Sequence, residues 1–393
     1  MTVTKQYYSK VVSIIAQQLG FVALIGFALL CMETAAAVRF ERVPDDGVQP
    51  QVLVDGSGRT HLLYFKGDAM GGDLFYAVKL ADGKEFSPPI KVNGKPNSVP
   101  IAGTMRGPQM ALGRDRVHVV WMGGNGADKV KVGGENVTPL LYARVGAGRD
   151  TFEPERNILR DVAGLDGGQT VAADQKGNVY VIWHGAPPGT EGEEERGLYV
   201  ARSMDDGKTF AEELKANVPR KGACACCGIR ASVDERGAVH VLFRAAEAGV
   251  NRSELWLKSE DHGKTFAVLK DDPWKTATCP ASSAFLQVAG KLDVGAWETD
   301  NRVTGAILNG PKTIPLTITG EKKQKHPTVA ANNHGEVLMT WVEDAGWGTE
   351  GTLVCQLFDK EGKAKGEPVR KAKLPAWSFG APVAEEADFI VYY

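Results

Sequence analysis

Three cysteines fall within four residues in Ala223-Cys224-Ala225-Cys226-Cys227-Gly228, and a fourth, Cys279, follows further along the chain. Sulfur this dense has two chemistries. In an oxidising space cysteines that meet form disulfides, and Cys279 bonded to one of the three would staple two loops. As thiolates, the same side chains with His184 or His326 suit a soft or borderline cation, Zn or Cu(I). The Cys-x-Cys-Cys spacing is not that of a zinc knuckle, and no second Cys-x-x-Cys accompanies it. Cys224, Cys226, Cys227 and Cys279 therefore read first as disulfides and alternatively as a metal or redox centre. Cys355 sits in the strand-like run Leu353-Val354-Cys355-Gln356-Leu357, where a buried inert thiol is the simple account.

The chain that must position these residues has 393 residues with 46 Gly and 20 Pro, and no long amphipathic helical pattern beyond its first segment. One pattern recurs instead, at about 45 to 60 residues: a short apolar strand, a turn with Asp or Gly, then a second apolar strand ending in an aromatic. It reads Pro50–Asp55 with His61–Phe65, Pro108–Leu112 with Val117–Trp121, Thr170–Asp174 with Val179–Trp183, and Ile229–Asp234 with Val239–Phe243. Ala284–Val288 with Leu292–Trp297, Pro327–Ala331 with Val337–Trp341, and Pro382–Ala384 with Phe389–Tyr392 complete seven copies. Period-two alternation between turn signals makes these antiparallel hairpins. One such unit cannot cover both faces of its sheet, and radial packing of neighbours does, which predicts an all-β propeller of four-stranded antiparallel blades. The last hairpin lacks outer strands, and Val38–Val43 is the segment that would complete it.

The net charge is −2, and no basic stripe with interleaved aromatics occurs, so nucleic acid is not an expected partner. Lys5 and Lys10 precede the apolar stretch Gly20–Leu30, and Ala35-Ala36-Ala37 supplies small residues for cleavage. This reads as a signal peptide over 1–37, followed by one propeller domain over 38–393 in a periplasmic or extracellular space. The apolar stretch is too short for a transmembrane helix, and no span is expected in the mature chain.

Ser203-Met204-Asp205-Asp206-Gly207-Lys208-Thr209-Phe210 and Ser259-Glu260-Asp261-His262-Gly263-Lys264-Thr265-Phe266 are two copies of one turn, with degenerate versions at Asp82–Phe86 and Asp150–Phe152. Ser and Asp side chains bond the local backbone, Gly accepts positive φ, and the aromatic packs beneath. These copies resemble the Asp-box of the sialidase-like propeller superfamily, and the repeat resemblance covers nearly the whole mature chain. Sialidases have six blades, whereas the hairpins here favour seven.

In a propeller, loops entering the first strands and loops leaving the second strands gather around one mouth of the channel. The incoming loops carry Gln49, Arg106, Gln169, Cys224 to Arg230, Cys279 and His326; the outgoing loops carry His184, Arg244, Glu298, Asp300, Arg302 and Glu343. The sialidase resemblance implies a carbohydrate, with an acidic group held by arginine forks. Arg244 resembles the second sialidase arginine and Arg302 the third. Val48-Gln49-Pro50-Gln51 stands where the first arginine belongs, and His326-Pro327-Thr328 where the nucleophilic Tyr belongs, so a true sialidase is not expected. The ligand-binding set is then Arg230, Arg244, Arg302, His184 and His326. For a glycoside hydrolase the carboxylates would be Glu298, Asp300 and Glu343, about 5 Å apart in a retaining pair. Trp121, Trp183, Trp297 and Trp341 end second strands in register, where packing is the first reading and stacking on sugar rings the second. A non-catalytic structural or interaction propeller is the remaining alternative.

Overall fold

Strands of two to eleven residues pair with their chain neighbours into separate antiparallel sheets rather than one continuous sheet. The computed structural model describes residues 36–393 apart from 104–105, 147, 149, 165, 220–221, 289–291 and 310–311. The signal peptide read over 1–37 lies outside them but for its last two residues. Ala37–Tyr393 forms one compact unit.

The first strands of the blades are Val48–Val54, Gln109–Leu112, Gln169–Ala173, Arg230–Val233, Ala284–Gln287, Gln324–Ala331 and Ala381–Glu385. Each contacts the next, and the seventh contacts the first, so they close a ring around a central axis. Blades one to six are four-stranded and pair in simple sequential order. The seventh is three-stranded: Ala381–Glu385 and Asp388–Tyr392 pair antiparallel, and Val38–Glu41 joins the outer side in parallel, Val38 opposite Phe389 and Glu41 opposite Tyr392. The ring thus has seven blades, closed by the segment the sequence offers for it, not the six of the sialidase resemblance. Apart from a 3-10 turn at Pro44–Asp46, the described residues are strand and loop, and none forms a helix long and apolar enough to cross a membrane. A hairpin of Val130–Val132 and Glu135–Val137, turning on Gly133 and Gly134 at positive φ, is inserted in blade two.

The core lies between blades. Trp121, Trp183, Trp297 and Trp341 are all at most 2% exposed, so the packing reading holds and their rings are closed to any sugar. Two first strands share a local irregularity: the pairing slips between Val48 and Gln51 and between Lys325 and Thr328. At these bulges Gln49 and His326, each followed by Pro, take φ of 54° and 57°. Both side chains are buried at these bulges.

Candidate functional site

The loops before the first strands are tied to one another at one end of the ring. Gln49 donates from Nε2 to the carbonyls of Ile101 (3.0 Å) and Trp377 (2.8 Å), and Gln169 donates to that of Gly107 (3.0 Å). His184 Nε2 meets the Cys227 carbonyl at 3.2 Å, and Gly228 donates its N–H to Ser282. Ser283 Oγ lies 3.3 Å from His326 Nδ1, and Thr328 Oγ1 donates to the Gly380 carbonyl. Gly168 runs so close to His184 that a Cβ there would fall 1.7 Å from Nε2, so only glycine fits.

The sulfur cluster occupies the loop before blade four. Cys227 N–H donates to the Cys224 carbonyl (3.2 Å), closing a tight turn, and Cys224 N–H donates to the Arg244 carbonyl (3.0 Å). Cys224 Sγ then stands 3.0 Å from Cys227 Sγ and 3.5 Å from Cys226 Sγ. Neither contact is the S–S bond of about 2.05 Å, and all five cysteines of the described chain are free thiols. Cys279, exposed on the facing loop, reaches the Cys226 thiol. Burial pushes the Cys227 thiol up, but hydrogen bonds from Cys224, Cys226 and Ser282 and the charge of Arg244 outweigh it and hold Cys227 well below the usual thiol range. Contacts with Cys226 and Cys227, together with burial, push Cys224 up; for Cys226 the Cys224 contact pulls down, and the Cys227 contact and burial outweigh it. Cys355 is buried in its strand as read, and burial lifts it to about 11.

Arg244 ends the second strand of blade four and is 1% exposed. It donates to Ser282 Oγ (2.8 Å), to the Arg252 carbonyl (2.6 Å) and to the Glu298 carbonyl, and pairs with Glu254 at 3.0 Å. Glu254 lies directly opposite on the neighbouring strand. Burial pushes the Glu254 carboxyl up to about 8, against the pull of Arg244. Glu298 accepts from Ser283 Oγ (2.6 Å), Ser283 N–H (3.1 Å) and His326 N–H (2.8 Å), and forms an ion pair with Lys325. Burial alone would raise it; Lys325 and His326 reverse that and keep it below the usual carboxylate range. His326, desolvated, falls to about 4, and burial likewise lowers His184.

The remaining residues are more dispersed. Glu343 is buried and held bidentately by Arg370, with both contacts at 2.9 Å. Asp300 is exposed in a two-residue turn with Asn301, both at positive φ, between Thr299 and Arg302. Arg302 is exposed, and its guanidinium binds the carbonyls of Lys322 (3.0 Å) and Gly320. Arg244 and Arg302 therefore do not form one carboxylate clamp: the first is saturated inside the protein, the second by backbone. Arg230 differs. It opens the first strand of blade four, is 6% exposed, donates only to the adjacent Ile229 carbonyl (2.9 Å), and no carboxylate meets it among the described residues. Burial lowers it to about 10.

An aromatic platform was not foreseen from the sequence. Trp347, in Gly346-Trp347-Gly348, is 62% exposed and lies edge-to-face with Trp377, ring centroids 6.3 Å apart. The Arg106 guanidinium stands 5.7 Å from the Trp347 ring and pairs with Asp166 at 2.6 Å. The available signal was a large aromatic between two glycines in a loop, since an isolated Trp there has no strand face to pack against.

No family model matches the chain, and no curated protein does. Among solved structures it is similar to the Trypanosoma rangeli sialidase, at 15% identity and a TM-score of 0.51, over 79% of this chain and 56% of that one. The same sialidase in complex with the inhibitor DANA aligns at 13% identity and a TM-score of 0.50, again over 79% and 56%. The fold is that of a sialidase-like β-propeller. A further likeness, to the Hadza microbial sialidase Hz136, has 12% identity, a TM-score of 0.48 and coverage of 82% and 70%. At such identities the likeness is one of fold, and it extends over little more than half of the Trypanosoma chain.

Proposed function

We propose that this propeller binds a carbohydrate carrying an acidic group, at the end of the ring where the incoming loops meet. The observation that carries the reading is Arg230, a buried guanidinium with no acidic partner among the described residues. A buried charge left unpaired is costly, and a ligand carboxylate received in fork geometry would offset that cost. Trp347 supports the same reading, because an exposed indole presents an apolar face to sugar C–H groups beside the polar pair Arg106–Asp166. A chain of contacts links the two: Arg106 and Gly107 carbonyls to Gln169, then Thr170 Oγ1 to the Ala231 N–H, next to Arg230. Hydrolysis is not part of the proposal, since Glu298 is committed to Lys325 and Glu343 to the half-exposed Arg370. Export of a chain that starts near Val38 belongs to the reading, because that is where acidic glycans are met.

The test is binding of the chain recovered after export, its N-terminus read by mass, to matched oligosaccharides with and without a terminal uronic or sialic acid. Acidic ligands should bind at least about 10-fold tighter than neutral ones, a preference Arg230→Gln removes. Trp347→Ala should weaken both classes. Equal binding of acidic and neutral sugars, or none of either, would sink the reading.

A further inference from the structure

The carbohydrate reading leaves the sulfur cluster unused. We infer that Cys224, Cys226 and Cys227 form a binding site for a thiophilic d10 cation, built into the loop before blade four. The three Sγ atoms lie within 4.8 Å of one another, with two edges of 3.0 and 3.5 Å. Sulfurs at about 2.3 Å from one ion stand about 3.8 Å apart in a tetrahedral set and about 4.0 Å apart in a trigonal one. Two edges fall short of both values and the third is at most 4.8 Å, so side-chain rotations that open the short edges by about 0.3 to 1 Å would seat an ion.

The backbone is already fixed for this. Four hydrogen bonds pin the turn: Ala223 N–H to Glu193, Cys224 N–H to Arg244, Cys227 N–H to Cys224 and Gly228 N–H to Ser282. Cys224, Cys227 and Ala246 form a small apolar cluster that keeps water from two of the sulfurs. Cys226 is partly exposed and gives the ion a way in. Ser282 donates its hydroxyl to Cys227 Sγ (3.2 Å) and is itself held by Arg244 (2.8 Å). A donor of this kind orients a ligating sulfur and spreads its charge, and Arg244 supplies positive charge for a thiolate set. A disulfide would use only two of three sulfurs gathered on one turn and leave the third without a role. Three sulfurs suit Cu(I); Zn(II) favours four donors, and Cys279, which meets Cys226 but lies outside the group of three, would have to swing inward to complete that set.

The experiment takes the full chain, purified without chelators and then reduced. It is titrated with Cu(I) against a bicinchoninate competitor and, separately, with Zn(II) against a chromogenic chelator. One ion per chain is expected, with an all-sulfur shell at about 2.3 Å by X-ray absorption. Cys224→Ser and Cys227→Ser should each weaken binding by about 100-fold or more, and Ser282→Ala by about 10-fold. Cys355→Ser, remote from the site, should change nothing, and circular dichroism confirms that each variant is folded. Cys279→Ser distinguishes the metals, since it should weaken Zn(II) and spare Cu(I). A folded, reduced wild type that binds neither ion stoichiometrically would overturn the proposal. So would binding that survives both cysteine variants, or a disulfide within the cluster that no reductant opens while the protein stays folded.

Discussion

Arg244 and Arg230 are both buried within blade four, yet their surroundings put opposite energetic signs on them. Arg244 meets Glu254 at 3.0 Å and fills three further acceptors. Removing it strands a carboxyl at 2% exposure, and breaking a buried pair from one side costs about 3 to 5 kcal/mol. Arg244→Ala should therefore lower the denaturant midpoint sharply, while Arg244→Met with Glu254→Leu should recover most of the loss. Arg230 offers no such pair, so Arg230→Met should leave the ligand-free protein as stable as before or stabilise it by about 1 to 2 kcal/mol. Equilibrium urea unfolding of the variants settles both signs, and a destabilised Arg230→Met would mean a partner the geometry lacks. Sequence could name these arginines from their place at strand ends. It could not show that Glu254 lies across the ladder from one of them, because that register depends on a partner strand ten residues away. Lys325 against Glu298 and Arg370 against Glu343 were hidden for the same reason.

At the scale of the element, the two eight-residue turns make one hydrogen-bond set twice. Ser203 Oγ donates to Asp205 (2.7 Å) and accepts from Gly207 N–H (2.9 Å), while Thr209 donates to Asp205 from N–H (2.8 Å) and Oγ1 (2.7 Å). Ser259, Asp261, Gly263 and Thr265 repeat it. Each turn also braces the blade before it: Asp206 meets His118 at 3.3 Å with Phe210 edge-on to Tyr142, and His262 Nδ1 meets Tyr180 at 2.7 Å. Local bonding of this kind is legible in sequence because donor and acceptor lie within a few residues. The two-residue outer strands Ile90–Lys91, Arg156–Asn157 and Leu214–Lys215 are too short to show any alternation. Burial, the largest single effect, pushes Asp205 and Asp261 up, but the backbone and hydroxyl donors together prevail and hold both at about 2, below their ordinary 3.8. A carboxyl depressed in the folded state stabilises above its unfolded pKa and loses that contribution as pH falls towards the folded value. Stability should thus decline between about pH 4 and pH 2, and Asp205→Asn with Asp261→Asn should flatten that decline. Asp205 is exposed and Asp261 partly so, and screening keeps the effect to about 1 kcal/mol each by the hydrogen bonds lost. Thermal unfolding followed across that window reads the slope directly, and an unchanged slope would refute the assignment.

For the whole molecule, the decisive fact is that the ring is closed by a segment more than 340 residues away from its partner in sequence. The seven hairpins could be counted because each repeats the same local pattern, and Val38–Val43 stood out as the strand the last one lacked. Parallel pairing at the closure could not be read, since it depends on the direction from which the chain arrives. Val38–Glu41 pairs with Asp388–Tyr392, Phe389 N–H donates to the Ala37 carbonyl, Val43 N–H to that of Tyr393 and Tyr393 N–H to that of Glu41. Lys79 from blade one adds a 2.8 Å bond to the Tyr392 hydroxyl and an ion pair with Glu41 at 3.6 Å. A propeller gains cooperativity only when its last blade is held to its first, because otherwise blade seven is a two-stranded hairpin, which is marginal alone. A chain that begins at Pro44 should therefore fold but unfold earlier and over a broader temperature range. It should also self-associate, because the edge of Asp388–Tyr392 would be bared. A synthetic peptide spanning 36–43, added in trans, should occupy that edge by strand addition and restore both the midpoint and the monomer. Scanning calorimetry and size-exclusion chromatography with and without peptide make the comparison. If the shortened chain matched the full one in midpoint and state, closure would rest on the packing of blades one and seven, and the outer strand would be dispensable.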